Sequence, residues 1–445
     1  VKIPMMRVAA AAALLLLAVS HADAAYCHGK PDPNAQPNTN AINRAAPKLV
    51  RTAPNGKAFQ VGTPGNEMWV LHLYGTAYEM GYAHGTLMKE EAREMVARTW
   101  AYLESQVTDA LNGLPNWLKM DLANAGLDIA LDWTYEQTKN YTGSYFFDEM
   151  RGIADAAGVD YQTILRIHLI GELTQGDCSM FGAWGKATAS TGKTFQLRAL
   201  DWDIDGPFKD YPAVIVYHPS EDGHAFANLG FIGWIGALSG QSSKQLAISE
   251  IGIAFPDATF GKESRTGVPF TFLLRDILQF DNSYEDSVKR ITTAHRTCDL
   301  VLGVGDGKAA TMREFQYSAS VANVMDDTNL MPLNDTWHPR IENVVYTGMD
   351  WDCPSYNQVL HERLMTYYGN ITAENTIHGI VPVVQTGNVH TAVYDLTDEI
   401  MYASVARRTN GTGPENSYER EFTALNLKAL WAEPAPSTGD AAQFE

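Results

Sequence analysis

The stretch Asp177–Asp203 constrains this chain more than any other. It runs Asp-Cys-Ser-Met-Phe-Gly-Ala-Trp-Gly, then a Thr/Ser/Gly-rich turn over 188–193, then Thr-Phe-Gln-Leu-Arg-Ala-Leu-Asp-Trp-Asp. Apolar and aromatic residues alternate with small ones on both sides of the turn, the pattern of a β-hairpin. One strand opens at Cys178, the turn falls at Ser190–Lys193, and the return strand covers Thr194–Trp202. In an antiparallel pair the start of one strand lies beside the end of the next. A thiol (Cys178), a guanidinium (Arg198) and a carboxylate (Asp201) are therefore expected at one sheet edge. A thiol attacks as thiolate, and a neighbouring cation lowers its pKa; a carboxylate can hold the cation or orient a base. Taken alone, the hairpin reads more readily as a small buried cysteine beside a structural Arg–Asp pair.

Gly176-Asp-Cys-Ser179, the hairpin and Arg198-Ala-Leu-Asp201-Trp resemble the nucleophile region of N-terminal-nucleophile amide hydrolases. The relatives in question are acyl-coenzyme A:6-aminopenicillanate acyltransferase, acid ceramidase and N-acylethanolamine acid amidase. Gly75-Thr-Ala-Tyr-Glu-Met-Gly-Tyr-Ala-His-Gly85, the segment Asp148–Ala157, Thr266-Gly-Val-Pro269 and Val301–Asp306 extend the resemblance in the same order. It runs, with gaps, from about Gly75 to Arg407.

The resemblance implies self-cleavage at Asp177–Cys178. The Cys178 thiol would attack the Asp177 carbonyl, and hydrolysis of the resulting thioester would leave Cys178 with a free α-amino group. That amine, with a reference pKa of about 7.7–8, serves as the local base, so no histidine is required. The products are an α-chain (residues 25–177) and a β-chain (178–445) that stay together as a heterodimer. By the same resemblance Asp201 orients the new amine, Arg198 binds the acyl carbonyl or stabilises thiolate, and Glu250 donates a proton. For Glu250 an exposed strand-end residue is the competing reading. Relatives carry an oxyanion asparagine after a threonine; here Val345-Tyr-Thr-Gly348-Met-Asp350 places Gly348 at that point. A backbone N–H near Gly348, another asparagine such as Asn343, or a different substrate geometry is expected to compensate, since one lost oxyanion donor costs about 10²–10³ in rate.

The rest of the chain is read for context. Met5-Met-Arg7, the apolar run Val8–Ser20 and Ala22-Asp-Ala24 have the form of a secretory signal over 1–24, and no later segment reaches the ~20 apolar residues of a membrane span. Sequons at Asn140, Asn334, Asn370 and Asn410 fit a secreted, lysosomal or endosomal glycoprotein. A net charge of −19 leaves no basic stripe for nucleic acid. Residues 25–65 read as a flexible Pro/Asn/Ala-rich leader, and 66–445 as one structural domain of an N-terminal helical part (66–177) and the sheet-rich remainder.

Helices are expected at Glu79–Tyr102, Tyr145–Ala157, Tyr161–Ile170, Thr271–Phe280 and Tyr284–Ala294. Strands are expected at Val214–Tyr217, Ala225–Leu229, Ile232–Leu238, Gln245–Ile248, Leu300–Val304, Met312–Tyr317, Val344–Tyr346, Thr391–Asp395 and Ile400–Ser404. Periodicity alone gives an α+β class; the resemblance refines it to a four-layer αββα sandwich of two antiparallel sheets.

Three cysteines remain beside Cys178, so an oxidising lumen predicts one disulfide and one leftover thiol. The expected pair is Cys298–Cys353, both in the β-chain, with Cys27 left in the leader. No spacing resembles a metal site and no cofactor is expected; His84 and His390 read as structural. Phe181, Trp184, Trp202, Phe231 and Trp234 suit either an acyl pocket or the core. The expected activity is hydrolysis of the amide bond of a small N-acyl, lipid-like substrate. Two alternatives stay open: a phospholipase B-like acyl-ester hydrolase, and a catalytically silent secreted binding or storage glycoprotein.

Overall fold

The computed structural model describes residues 27, 30–110, 116–172, 176–409, 413–437 and 443–444. The expected signal segment 1–24 and Asn410 lie outside the described residues. The chain opens with an antiparallel meander of β1 (Lys48–Ala53), β2 (Gly56–Val61) and β3 (Met68–Gly75). This corrects the reading of 25–65 as a structureless leader. The turn Pro54-Asn55, with Asn55 at φ 60°, closes a tight hairpin, and the buried side chains of β2 are mostly small, which hides the alternation.

Five helices follow: α1 (Ala77–Leu87), α2 (Lys89–Ala110), α3 (Asn116–Thr138), α4 (Ser144–Ala157) and α5 (Tyr161–His168). A reciprocal capping box between Thr76 and Glu79 starts α1. Gly158, left-handed at φ 69°, ends α4, and the Asp160 side chain caps α5. Glycines let α1 and α4 touch backbone to backbone: a Cβ on Gly81 would lie 2.0 Å from the Glu149 carbonyl oxygen, and one on Gly152 would lie 2.3 Å from that of Tyr78. The glycines of the 75–85 motif thus have a packing reason.

The central hairpin is β4 (Cys178–Ala183) and β5 (Phe195–Leu200). Next come β6 (Pro212–Pro219), β7 (Phe226–Phe231), β8 (Gly240–Ser242) and β9 (Leu246–Gly252). Two helices, α6 (Phe270–Phe280) and α7 (Tyr284–Thr293), precede β10 (Leu300–Asp306), β11 (Thr311–Tyr317), β12 (Ala322–Met325) and β13 (Val344–Met349). Then α8 (Pro354–Thr366) and short helical turns over 373–384 lead to β14 (His390–Asp395) and β15 (Ile400–Val405). The segment Ile232–Leu238, expected as a strand, forms none; its backbone is bound by buried side chains and by isolated main-chain hydrogen bonds.

Strands β12-β11-β10-β9-β8-β7-β6-β3-β2-β1 form one large sheet, and β13-β4-β5-β14-β15 with Thr423–Asn426 form a smaller one. The sheets are not purely antiparallel as expected, because β3 and β6 run parallel. The helical excursion α1–α5 gives the chain the length it needs to re-enter in the same direction. The inner faces interlock at glycines: a Cβ on Gly182 would lie 2.4 Å from Met312, and one on Gly303 would lie 2.7 Å from the Met180 sulfur. Helices α1, α6 and α7 cover the large sheet, while α8 and the 373–384 turns cover the small one. The architecture is therefore a four-layer αββα sandwich.

Glu314 of β11 joins the layers by accepting the hydroxyl of Thr347 of β13 at 2.8 Å. Burial pushes its carboxyl up to about 8. The folded state holds this proton where the unfolded chain, near pKa ~4.3, has released it. That stability is complete below pH ~4.3 and is lost as pH rises through about 8. Urea midpoints should therefore fall between pH 5 and pH 8, and Glu314→Gln should flatten part of that fall. Parallel profiles for the two proteins would contradict the assignment.

Candidate active site

Register places the nucleophile candidate. Cys178 pairs with Leu200 of β5 on one side and with Met349 of β13 on the other. Its thiol is fully buried and lies 3.9 Å from a Glu250 carboxylate oxygen. Arg198 Nη2 donates to the same Glu250 oxygen, and Arg198 Nε donates to the Leu238 carbonyl at 3.2 Å. Arg198 Nη1 is buried with no hydrogen-bond partner among the described residues. Burial pushes the Cys178 thiol well above its usual pKa, and the Arg198 charge opposes that rise. Burial also raises Glu250, again against Arg198. The pocket thus holds a protonated thiol beside a closed ion pair with one donor to spare. Glu250 is buried, not the exposed strand-end residue of the competing reading.

Asp201 is placed by its backbone and its side chain at once. Its N–H donates to the Asp177 carbonyl oxygen at 2.9 Å. Its carboxylate accepts from the Thr386 hydroxyl (2.6 Å), Gly387 N–H (2.9 Å) and Asn388 N–H (3.0 Å). Burial raises the Asp201 carboxyl, while these hydrogen bonds favour the carboxylate. The Asn388 amide binds both backbone groups of Trp202, at 2.9 and 2.8 Å. Gly387 adopts φ 85°, and a Cβ there would lie 2.1 Å from Thr391 Oγ1, so the loop accepts only glycine. Sequence reasoning missed Thr386, Gly387 and Asn388. The signal was present: Gln385-Thr-Gly-Asn388 is a turn tetrad carrying the threonine and asparagine sought at 347–348.

Two expected oxyanion groups do not serve that way. Gly348 N–H donates to Asn357 Oδ1 at 2.9 Å. A side chain at 348 would press within 3.2 Å of the α8 backbone, which explains the glycine. Asn343 lies at the far end of β13, where Val344 pairs with Ala183. Five residue steps put it about 17 Å from Cys178, and its Oδ1 accepts Lys186 N–H.

The expected Cys298–Cys353 disulfide is also corrected. Cys27 pairs with Cys353, with Cα atoms 5.0 Å apart, and Cys298 is a free, buried thiol. Cys353 N-caps α8 on the small sheet, whereas Cys298 precedes β10 of the large sheet, so the two belong to different layers. Cys27 Sγ and the carboxylates of Asp177 and Asp350 lie within 4.8 Å of one another. This trio does not suit a metal ion, because its sulfur is spent in the disulfide. Asn140 and Asn370 are exposed, and Asn334 is half-buried.

An apolar cavity adjoins the site, lined by Trp202, Phe231, Trp234, Leu238, Phe270 and Leu300 together with Glu250 and Cys298. Of the five aromatics singled out, Trp202, Phe231 and Trp234 line it; Phe181 and Trp184 belong to the core.

No family model matches the chain. It is 36% identical over 407 residues to protein dcd1B of Dictyostelium discoideum, covering 88% of this chain and 80% of that protein. It is 34% identical over 439 residues to dcd1A of the same organism, covering 94% and 96%. Among solved structures, a Caenorhabditis elegans ortholog of N-acylethanolamine-hydrolyzing acid amidase aligns at 17% identity and a TM-score of 0.36, covering 49% of this chain and 93% of that one. A structural likeness that partial carries nothing further about this chain.

Removing one member of a buried ion pair strands the other. Arg198→Ala should cost about 3–5 kcal/mol in urea unfolding. The double variant Arg198→Met/Glu250→Gln should cost clearly less, since it strands no charge. Equal losses would show that the pair is not what holds this part of the core.

Proposed function

We propose that this chain, which belongs to the family of the Dictyostelium discoideum proteins dcd1A and dcd1B, is a self-cleaving hydrolase of amide bonds in N-acyl, lipid-like substrates, with Cys178 as nucleophile. One observation carries the reading. The Asp177 carbonyl, polarised by Asp201 N–H at 2.9 Å, immediately precedes a buried thiol that faces Glu250 and Arg198.

In self-cleavage the Cys178 thiol gives its proton to Glu250, and the sulfur attacks the Asp177 carbonyl carbon. Asp201 N–H stabilises the oxyanion, which compensates for the engaged Gly348. The C–N bond breaks as the Cys178 nitrogen takes a proton, leaving a thioester between Asp177 and Cys178. Water hydrolyses it, freeing the thiol, the Asp177 carboxylate and the new α-amino group. In turnover that amine takes the thiol proton, and the thiolate attacks the substrate carbonyl. The spare Arg198 Nη1 donor is available to the developing charge. The amine product leaves, and water releases the acid from the acyl-enzyme. The apolar cavity beside Glu250 suits the acyl chain.

The Cys27–Cys353 disulfide supports an oxidising, lumenal or secreted setting. It also spans the cut, because Cys27 belongs to the α-chain and Cys353 to the β-chain. Intact mass and N-terminal sequencing should find a chain beginning Cys-Ser-Met-Phe, absent from Cys178→Ala. On gels the cut protein should run as one species without reductant and as two with it. A wild-type chain that stays uncut after acidic incubation would sink the mechanism and favour a silent binding protein.

A further inference from the structure

The segment Gly233–Ser239 joins β7 to β8 and walls the apolar cavity through Trp234 and Leu238. Its sequence reads as a strand, yet it enters no ladder. Its backbone is held partly by isolated main-chain bonds, such as Ala237 N–H to the Thr271 carbonyl at 3.0 Å, and partly by side chains from several elements. Gly233 N–H donates to His84 Nε2 of α1 at 3.0 Å, and Ile235 N–H donates to His168 Nε2 of α5 at 2.9 Å. Arg275 of α6 donates to the Ile235 carbonyl at 2.9 Å, and Asn228 of β7 donates to that of Gly236 at 2.8 Å. At the far end the Ser239 hydroxyl meets His390 of β14 at 2.8 Å, and the Leu238 carbonyl accepts from Arg198. The wall and the catalytic arginine are therefore held by one network.

The two helical histidines have a role that apolar residues could not fill. His168 Nδ1 donates to the Ile164 carbonyl at 2.7 Å, which leaves Nε2 as an acceptor. Its ring also stacks on Trp234, with centroids 4.8 Å apart and planes inclined by 14°. An imidazole nitrogen accepts a hydrogen bond only while it is unprotonated. Burial pushes His84 down to about 3 and His168 to about 4, with Arg275 opposing a second positive charge at both. Glu149 neutralises Arg275 in turn.

We infer that His84 and His168 are positioning residues of the substrate pocket: they clamp the Gly233–Ile235 backbone, set Trp234 against the cavity, and so determine how a long apolar acyl chain seats. The inference rests on the proposed reading of the cavity as the acyl site. Both histidines precede Cys178, so the segment released by self-cleavage would remain a working part of the pocket.

The test is a fluorescence titration of the full-length protein with 11-(dansylamino)undecanoic acid. His168→Leu should weaken binding at least tenfold. His168→Gln, whose side-chain oxygen can stand where Nε2 stands, should restore it to within threefold. For amide substrates, KM should rise in His168→Leu for decanoyl but not acetyl compounds, with kcat little changed. Should the Leu variant fail to fold, the pH profile decides. Between pH 6 and pH 3, where the probe's carboxyl and His84 also titrate, wild type should lose at least threefold more probe affinity than His168→Gln; parallel losses would overturn the inference. So would a folded His168→Leu that binds like wild type, a Gln variant no better than Leu, or a wild type that binds no probe. If no N-acyl amide is cleaved while binding still follows the clamp, the proposed activity falls and the clamp stands. If amides are cleaved with unchanged KM in His168→Leu, the clamp falls alone.

Discussion

Arg198 on the small sheet and Glu250 on the large one are both buried, and neither charge is tolerable there without the other. Their meeting ties the layers together at the point where β4 begins. It also sets the electrical state of the thiol. An unpaired Arg198 would pull Cys178 towards thiolate; with Glu250 closing the pair, burial prevails and the sulfur keeps its proton. A protonated thiol is a poor nucleophile. It therefore needs a local base, and in the uncut chain Glu250 is the acceptor within 3.9 Å. In the proposed self-cleavage, the α-amino group of Cys178 would become the second base. Arg198 Nη1, buried without a hydrogen-bond partner among the described residues, is the donor of this guanidinium that Glu250 and the Leu238 carbonyl leave over; the proposed reaction assigns it to developing negative charge.

What was legible in the sequence was what local physics decides. The hairpin follows from alternation, the α4 terminus from Gly158, the α5 start from Asp160. These depend on neighbours within a few residues. Asp201 was legible as a residue but not as a geometry, because its partners Thr386, Gly387 and Asn388 lie some 185 residues on, in the loop that leads into the neighbouring strand β14. Gly348 was read as a lost asparagine, when it is a close approach to α8. The Ile232–Leu238 segment misled for a related reason. Alternation records which side chains are buried and not what satisfies the backbone, which here is a mixture of two histidines, other side chains and isolated main-chain bonds. The disulfide failed because the order of cysteines along the chain says little about which layer each occupies.

The titratable groups of the core fall into two sets with opposite demands. Buried carboxyls are raised: Asp276 to about 6, Asp299 and Asp350 to about 7, Glu314 to about 8. Buried and half-buried imidazoles are lowered: His72 and His84 to about 3, His168, His218 and His224 to about 4. Each raised carboxyl withdraws stability as pH climbs from about 4 towards its folded value. Each lowered histidine withdraws it as pH drops from about 6.5 towards its own. Between about 4.5 and 6.5 the two slopes oppose one another; above that interval the carboxyls act alone, and below it the histidines do. Across that mildly acidic interval these groups partly cancel in their effect on stability. Below it, at the pH where His84 and His168 take up a proton in the folded chain, the same protonation removes the acceptors that hold the Gly233 and Ile235 N–H groups.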